Sequence, residues 1–217
     1  MRLCVYALAA PGRVRLTAAG VEGEPIRRIR VGAVDVLIGT VQRAPSPTLT
    51  ALKRYDHLMT SLWRRRITLL PVRFGTVVGD RSELEDLVRE AEPDIARRLS
   101  AVRNRAQMTL RLPGAGQPGS RSHSRGRGRT HGRLSGSQYL EQRAAQSRSP
   151  EAEPLRAAVG RWVRTERVER RGGIVTVYHL IPRGAAERYR AAAARAGAAA
   201  GVPVMISGPY PPYAFSG

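Results

Sequence analysis

The chain has 217 residues, 42% of them hydrophobic and 25% charged, enough for one large core or two cores of about 100 residues each. No apolar run approaches the ~20 residues of a membrane helix, and the apolar N-terminal stretch is too short for a secretory leader and reads better as a strand. The single cysteine, Cys4, excludes a disulfide framework and a cysteine-based zinc site and fits a reducing cytoplasm.

Residues 2–9 alternate as a strand, which Pro11-Gly12 breaks. Two further strands are expected over 26–31 and 34–41, joined by the tight turn Gly32-Ala33. Ser46-Pro47 reads as the N-cap and first position of a helix. Leu49, Leu52, Tyr55, Met59, Leu62 and Trp63 then recur at helical spacing.

The apolar run "LLPVRFGTVVG", Leu69 to Gly79, follows as a fourth strand with Leu69, Leu70, Val72 and Phe74 on the core side. Pro71 restricts that strand to a sheet edge or a bulge. Gly75 marks a bend, and Arg73, pointing away from Val72 and Phe74, is expected to pair with Glu83 or Glu85. Asp80 and Glu83 form a D-x-x-E capping box. The helix it starts carries Leu84, Leu87, Val88 and Ala91, and Pro93 is expected to interrupt it before Ile95, Leu99 and Val102. Residues 107–112 alternate as a closing strand. The order β-β-β-α-β-α-β predicts an α+β domain over 1–112, a modified ferredoxin-like antiparallel sheet with helices on one face.

The net charge is +20, almost all of it from arginine, since Lys53 is the only lysine. Between Ile95 and Leu140 there is no carboxylate, while ten arginines supply half of the net charge. Residues 113–137, "PGAGQPGSRSHSRGRGRTHGRLSGS", lack apolar periodicity and are expected to be a disordered basic linker. Residues 138–217 then predict a smaller α-β-β-α-β domain. A helix there carries Tyr139 and Leu140 and restarts at Pro150 and Pro154. A hairpin turns at Gly172-Gly173, an alanine-rich helix covers 183–200, a strand covers 202–207, and a Pro/aromatic tail ends the chain.

The search for chemistry finds little. The G-x-G-x-x-G spelled by residues 114–119 leads into "SRSHSRGRGR" and Pro118 lacks an amide, so the helix that a dinucleotide site requires is missing. None of His57, His123, His131 and His179 has a neighbouring ligand at metal spacing, and no nucleophile elbow or paired base is present. No enzyme, cofactor, metal or small-molecule substrate is therefore expected. The Arg-Gly segment favours salt-sensitive, non-specific contact with phosphates, but without interleaved aromatics it offers no base-stacking platform. A nucleic-acid- or ribosome-associated role through that segment is the alternative reading, with no specific nucleic acid expected.

Three spaced motifs resemble one known family. Leu70 to Val77, "LPVRFGTV", lies between two helices; Ser135 to Arg143 reads "SGSQYLEQR"; and the chain closes on "SGPYPPYAF" from Ser207. Together they resemble the gas vesicle GvpL/GvpF family. The resemblance implies two domains and a cytoplasmic accessory protein of gas vesicle assembly. It implies binding to the small hydrophobic shell protein and to other accessory proteins, as an assembly factor, a chaperone or a minor shell component, and it implies no catalytic residues. On this reading Pro71, Arg73, Phe74, Gly75 and Tyr139 are structural signature residues. Tyr210, Tyr213 and Phe215, on a backbone stiffened by Pro209, Pro211 and Pro212, are candidate partner contacts or an inter-domain staple.

Overall fold

The computed structural model describes residues 1–13, 15–114 and 152–216. The basic segment from 115, the Tyr139 motif and the helix expected near Gln138 lie outside the described residues. The chain divides into two compact units, Met1–Gln107 with Pro209–Gly217, and Met108–Gly208. The first unit ends inside the strand expected to close it, and it takes back the C-terminal tail.

The first unit holds β1 (Arg2–Ala9), β2 (Arg27–Val31), β3 (Val34–Val41), β4 (Leu69–Pro71) and β5 (Val77–Val78) with helices α1 (Leu49–Arg64) and α2 (Arg81–Val102). Its five-stranded sheet runs β2-β3-β1-β4, with β5 also on β1, and every recorded pairing is antiparallel. The strongly apolar β3 and the middle of β1 are buried, as expected of the two central strands. Gly32 turns the β2–β3 hairpin at φ +52°, a conformation that costs most residues steric strain. α1 starts at Thr48, whose hydroxyl accepts the Ala51 amide at 3.2 Å, two residues later than the Ser46 cap suggested. The cap therefore went to the hydroxyl residue adjoining the buried stripe Tyr55, Leu58, Met59, Leu62 and Trp63.

The capping box of α2 forms: the Asp80 carboxylate accepts the Glu83 amide at 3.0 Å, and the Glu83 carboxylate accepts the Gly79 amide at 2.6 Å. The helix then continues through Pro93 without the expected break. Pro93 lies on the exposed side, so the carbonyl of Arg89 that loses its amide partner meets water, while Leu84, Val88, Ile95, Leu99 and Val102 keep one continuous buried face. Packing along that stripe outweighs the one lost hydrogen bond.

The second unit contains the later part of β6 (Arg105–Pro113), then α3 (Glu153–Val159), β7 (Thr165–Arg171), β8 (Ile174–Pro182), α4 (Ala186–Ala199) and most of β9 (Met205–Tyr210). Its sheet runs β7-β8-β6-β9, and β7 and β8 form the Gly172-Gly173 hairpin in full register. The α-β-β-α-β order read from the sequence is present. β6 pairs here and not in the first sheet, which corrects the expected closure of the first domain by this strand. No helix among the described residues is long and apolar enough to cross a membrane.

Candidate functional site

The stretch Leu69–Val78 is not one strand. Both its ends pair with β1: Leu69, Leu70 and Pro71 oppose Ala9, Leu8 and Ala7, and Val77 and Val78 oppose Cys4 and Leu3. Between them, Val72 to Thr76 face only Val5 and Tyr6, so three extra residues leave the ladder. Backbone bonds from Val72 to the Tyr6 carbonyl and from Val5 to the Thr76 carbonyl, both 2.9 Å, clamp the neck. The ejected residues close as a turn. The Arg73 carbonyl accepts the Thr76 amide at 3.2 Å and its hydroxyl at 2.8 Å, with Gly75 in third position at φ +80°, as a type II turn demands. Pro71 stands on the edge strand, where its missing amide costs no ladder bond to a further strand.

The same place is irregular from the other side. β1 slips against β3 between Val5 and Ala7, leaving Tyr6 as the extra residue. The Tyr6 ring stacks on Tyr55 of α1 at 6.3 Å, and Phe74 meets Tyr55 edge-on at 5.7 Å, a geometry that aromatic quadrupoles favour. The Tyr55 hydroxyl donates to the Val72 carbonyl, with the Tyr6 carbonyl at 3.4 Å. The Tyr6 hydroxyl donates to Glu24 and accepts the Val21 amide at 3.0 Å. Burial raises the pKa of both tyrosines above the ordinary phenol value, and for Tyr6 the bond to Glu24 adds to the effect. Burial also pushes the neighbouring Cys4 thiol up to about 11, so this cysteine is an inert packing group.

Arg73, expected to form a salt bridge, is exposed and makes no ion pair among the described residues. Its intended partners are engaged elsewhere: Glu83 caps α2, and Glu85 pairs with Arg81 at 2.6 Å and Arg89 at 2.5 Å. The extra residues turn the arginine out of the sheet, whereas the simple alternation used to place it assumed an unbroken strand.

The C-terminal tail lies in the same unit. Tyr213, Ala214 and Phe215 form a single 3-10 turn that packs against β4. Pro211 and Pro212 are buried, and Tyr213 and Phe215 are half-buried. The Tyr213 hydroxyl donates to Asp56 of α1 at 2.8 Å. The Ala214 amide donates to the buried Gln107 side chain at 2.7 Å, and Arg98 donates to the Ser216 carbonyl at 3.2 Å. Burial, then the bond to Asp56, raises the Tyr213 pKa. Tyr210 stands apart and exposed. Helix α1 thus carries both motifs, the Phe74 turn on Tyr55 and the tail on Asp56. On the first turn of α1 Leu49 and Leu52 are 69% and 42% exposed. Of the residues singled out in the sequence, Phe74, Gly75 and Tyr213 gather around α1, while Tyr139 falls outside the described residues. Tyr6, Tyr55, Asp56 and Gln107 carry the arrangement without having been foreseen; only helical spacing had marked Tyr55.

A second polar cluster, also unforeseen, sits inside the second unit. His179 is fully buried, its Nδ1 2.6 Å from the Tyr189 hydroxyl and its Nε2 2.7 Å from Glu166. Burial raises the Tyr189 pKa, and the Tyr189 hydroxyl and the Glu166 carboxylate bracket the two ring nitrogens. Arg156 grips the same carboxylate through two bonds of 2.9 and 2.7 Å. Partial burial alone would raise the Glu166 pKa, but the bonds from His179 and Arg156 outweigh it and hold the carboxyl below its usual range. The Glu-His-Tyr order resembles a proton relay, yet the Tyr189 side chain is sealed from solvent. It joins α3, β7, β8 and α4 as a structural network. Among the described residues, no group of His, Cys, Asp and Glu is placed to hold a metal.

Comparison with known proteins gives one family and one fold. The family model described as "Gas vesicle synthesis protein GvpL/GvpF" matches residues 3–217. The structure is similar to the crystal structure of gas vesicle protein GvpF from Microcystis aeruginosa, with a TM-score of 0.75 at 12% identity, covering 100% of this chain and 99% of that one. It is also similar to GvpF from Anabaena sp. PCC7120, with a TM-score of 0.73 at 13% identity, covering 100% of this chain and 96% of that one. No curated protein sequence matches significantly.

Proposed function

This chain belongs to the GvpL/GvpF family of gas vesicle proteins, and on that premise we propose that it binds the small hydrophobic shell subunit, as assembly factor or minor shell component, in a cytoplasm that forms gas vesicles. The observation that carries the reading is the family match across 3–217. The exposed apolar residues of α1 support a binding role. A shell subunit awaiting incorporation exposes apolar surface, which water penalises at about 25 cal/mol per Å² until it is covered. Leu49 and Leu52, one helical turn apart on α1, offer an apolar contact on a rigid element. Arg73 and Tyr210, both exposed, are further contact candidates, whereas Tyr213 and Phe215 are committed to holding the tail. Other accessory proteins of the same assembly are the second class of partner.

Co-expression with a gas-vesicle-type shell protein, followed by affinity capture, tests this. Leu49→Asp with Leu52→Asp should abolish capture while leaving the melting temperature within about 2 °C, since both side chains are exposed. Capture that survives the double substitution excludes this face of α1. Failure of the unaltered chain to capture any such shell protein excludes the binding role itself.

A further inference from the structure

A small polar cavity of about 290 Å³ opens between the Ala9–Gly12 segment, β2, β3 and the C-terminal ends of α1 and α2. Its floor is Asp35, 1% exposed, which accepts the Gly12 amide at 3.0 Å and pairs with Arg30 and, at 3.3 Å, with Arg28. The buried carboxylate is therefore already neutralised. Arg66 and Arg103 complete the wall, and neither forms an ion pair among the described residues. Both residues are exposed to solvent, and the lining thus carries two arginines in excess of its carboxylate.

Arg66 also breaks a local rule. Bonds from Arg66 to the Trp63 carbonyl (2.9 Å) and from Ile67 to the Leu62 carbonyl (3.3 Å) end α1 in a Schellman motif, whose left-handed position glycine normally fills. Arg66 occupies it at φ +60°, at a cost of about 1 kcal/mol against glycine. Departures from local preference without a local gain are expected at functional or strained sites.

We propose that this corner is an anion site that takes one phosphate group, with Arg66 and Arg103 as its ligands and Arg28 and Asp35 as its positioning pair. Guanidinium forks match the oxygens of such a group. The cavity is at the lower limit of small-molecule pockets, ~300 Å³, so it admits the phosphate and leaves any nucleoside outside. The competing account is that Arg66 and Arg103 only complement the negative ends of the two helix dipoles.

Arg66→Gly separates the two, because it removes the guanidinium and relieves the backbone strain together, so the variant folds. The measurement is thermal stabilisation and calorimetric titration of the full chain with inorganic phosphate, and separately with ADP, against chloride at equal ionic strength. The background is Arg121→Ser, Arg125→Ser, Arg127→Ser, Arg129→Ser and Arg133→Ser, which removes the arginines of the basic segment. The expected result is phosphate-specific stabilisation, with affinity about tenfold weaker in Arg66→Gly and again in Arg103→Gln. A response to ADP as strong as to phosphate identifies a group carried on a nucleotide, and a response to phosphate alone identifies the free ion. No phosphate-specific response, or one unchanged by Arg66→Gly, overturns the site.

Discussion

In the first unit the anchoring tyrosine, Tyr213, reaches an aspartate on the solvent side of α1. In the second, His179 is sealed between Tyr189 and Glu166 with Arg156 behind them. Both are tyrosine-to-acid connections that join elements distant in sequence, and water separates them. If the first breaks, its polar groups are rehydrated and little is lost. If the second breaks, at least one polar group is left dry, and the full desolvation cost is felt. The comparison teaches that the solvent-side anchor of the tail can open at little cost, whereas the internal network holds the fold.

The largest test of that contrast is His179→Ala, which strands the Tyr189 hydroxyl and half of the Glu166 pairing. It should cost about 3–5 kcal/mol in denaturant unfolding; a loss under 1 kcal/mol would place water in the network and dissolve the distinction. Acid offers a second handle on the same network. The folded Glu166 pKa lies below its ordinary value of 4.5, so its contribution is present above that pH and fades as pH falls through the lowered folded value. His179→Ala should flatten stability against pH in the window below 4.5.

Removal of residues 209–217 should come next. It uncovers the surface under Pro211, Pro212 and Phe215 and removes the Ala214 bond to the buried Gln107, on the order of 2–4 kcal/mol, while Tyr213→Phe alone should cost about 1 kcal/mol or less. Thermal unfolding that is unaffected by the truncation would show the tail to be held only weakly. Gly75→Ala is expected to cost about 1–2 kcal/mol through the backbone, because at φ +80° a Cβ meets only the Pro45 carbonyl at 3.6 Å and there is no clash. The smallest effect belongs to Arg73→Ala, within about 0.5 kcal/mol of zero. If vesicle formation in a complementation assay fails with stability intact, Arg73 is a partner contact.

The local signals were legible where they were local. β1 and β3 begin and end where alternation and turn residues place them, Asp80 and Glu83 cap α2, and Gly172-Gly173 turns the β7–β8 hairpin. The tail and the "LPVRFGTV" stretch were visible as motifs, but the reason for each was not. No pattern within residues 69–79 announces three extra residues, because the count exists only against Val5 and Tyr6 on another strand. Pro93 looked like a stop because propensity is a property of a segment, while the decision belonged to the face it buries. Arg73 was given a carboxylate by proximity in sequence, and Glu83 and Glu85 had nearer claims.

By itself, then, the sequence determined most of the element order, the Asp80 cap and the Gly32 and Gly172-Gly173 turns, the α+β class and, through three motifs in order, the family. Tertiary structure decided which sheet receives β6, where the tail docks, that Tyr6, Tyr55 and Phe74 meet, and that His179 is enclosed by Tyr189 and Glu166. The physical reason is range: hydrogen bonds and rotamer preferences within a helix or hairpin are set by neighbours a few residues away. Strand pairing and the burial of a polar side chain depend on groups up to 157 residues apart, as Tyr213 and Asp56 are.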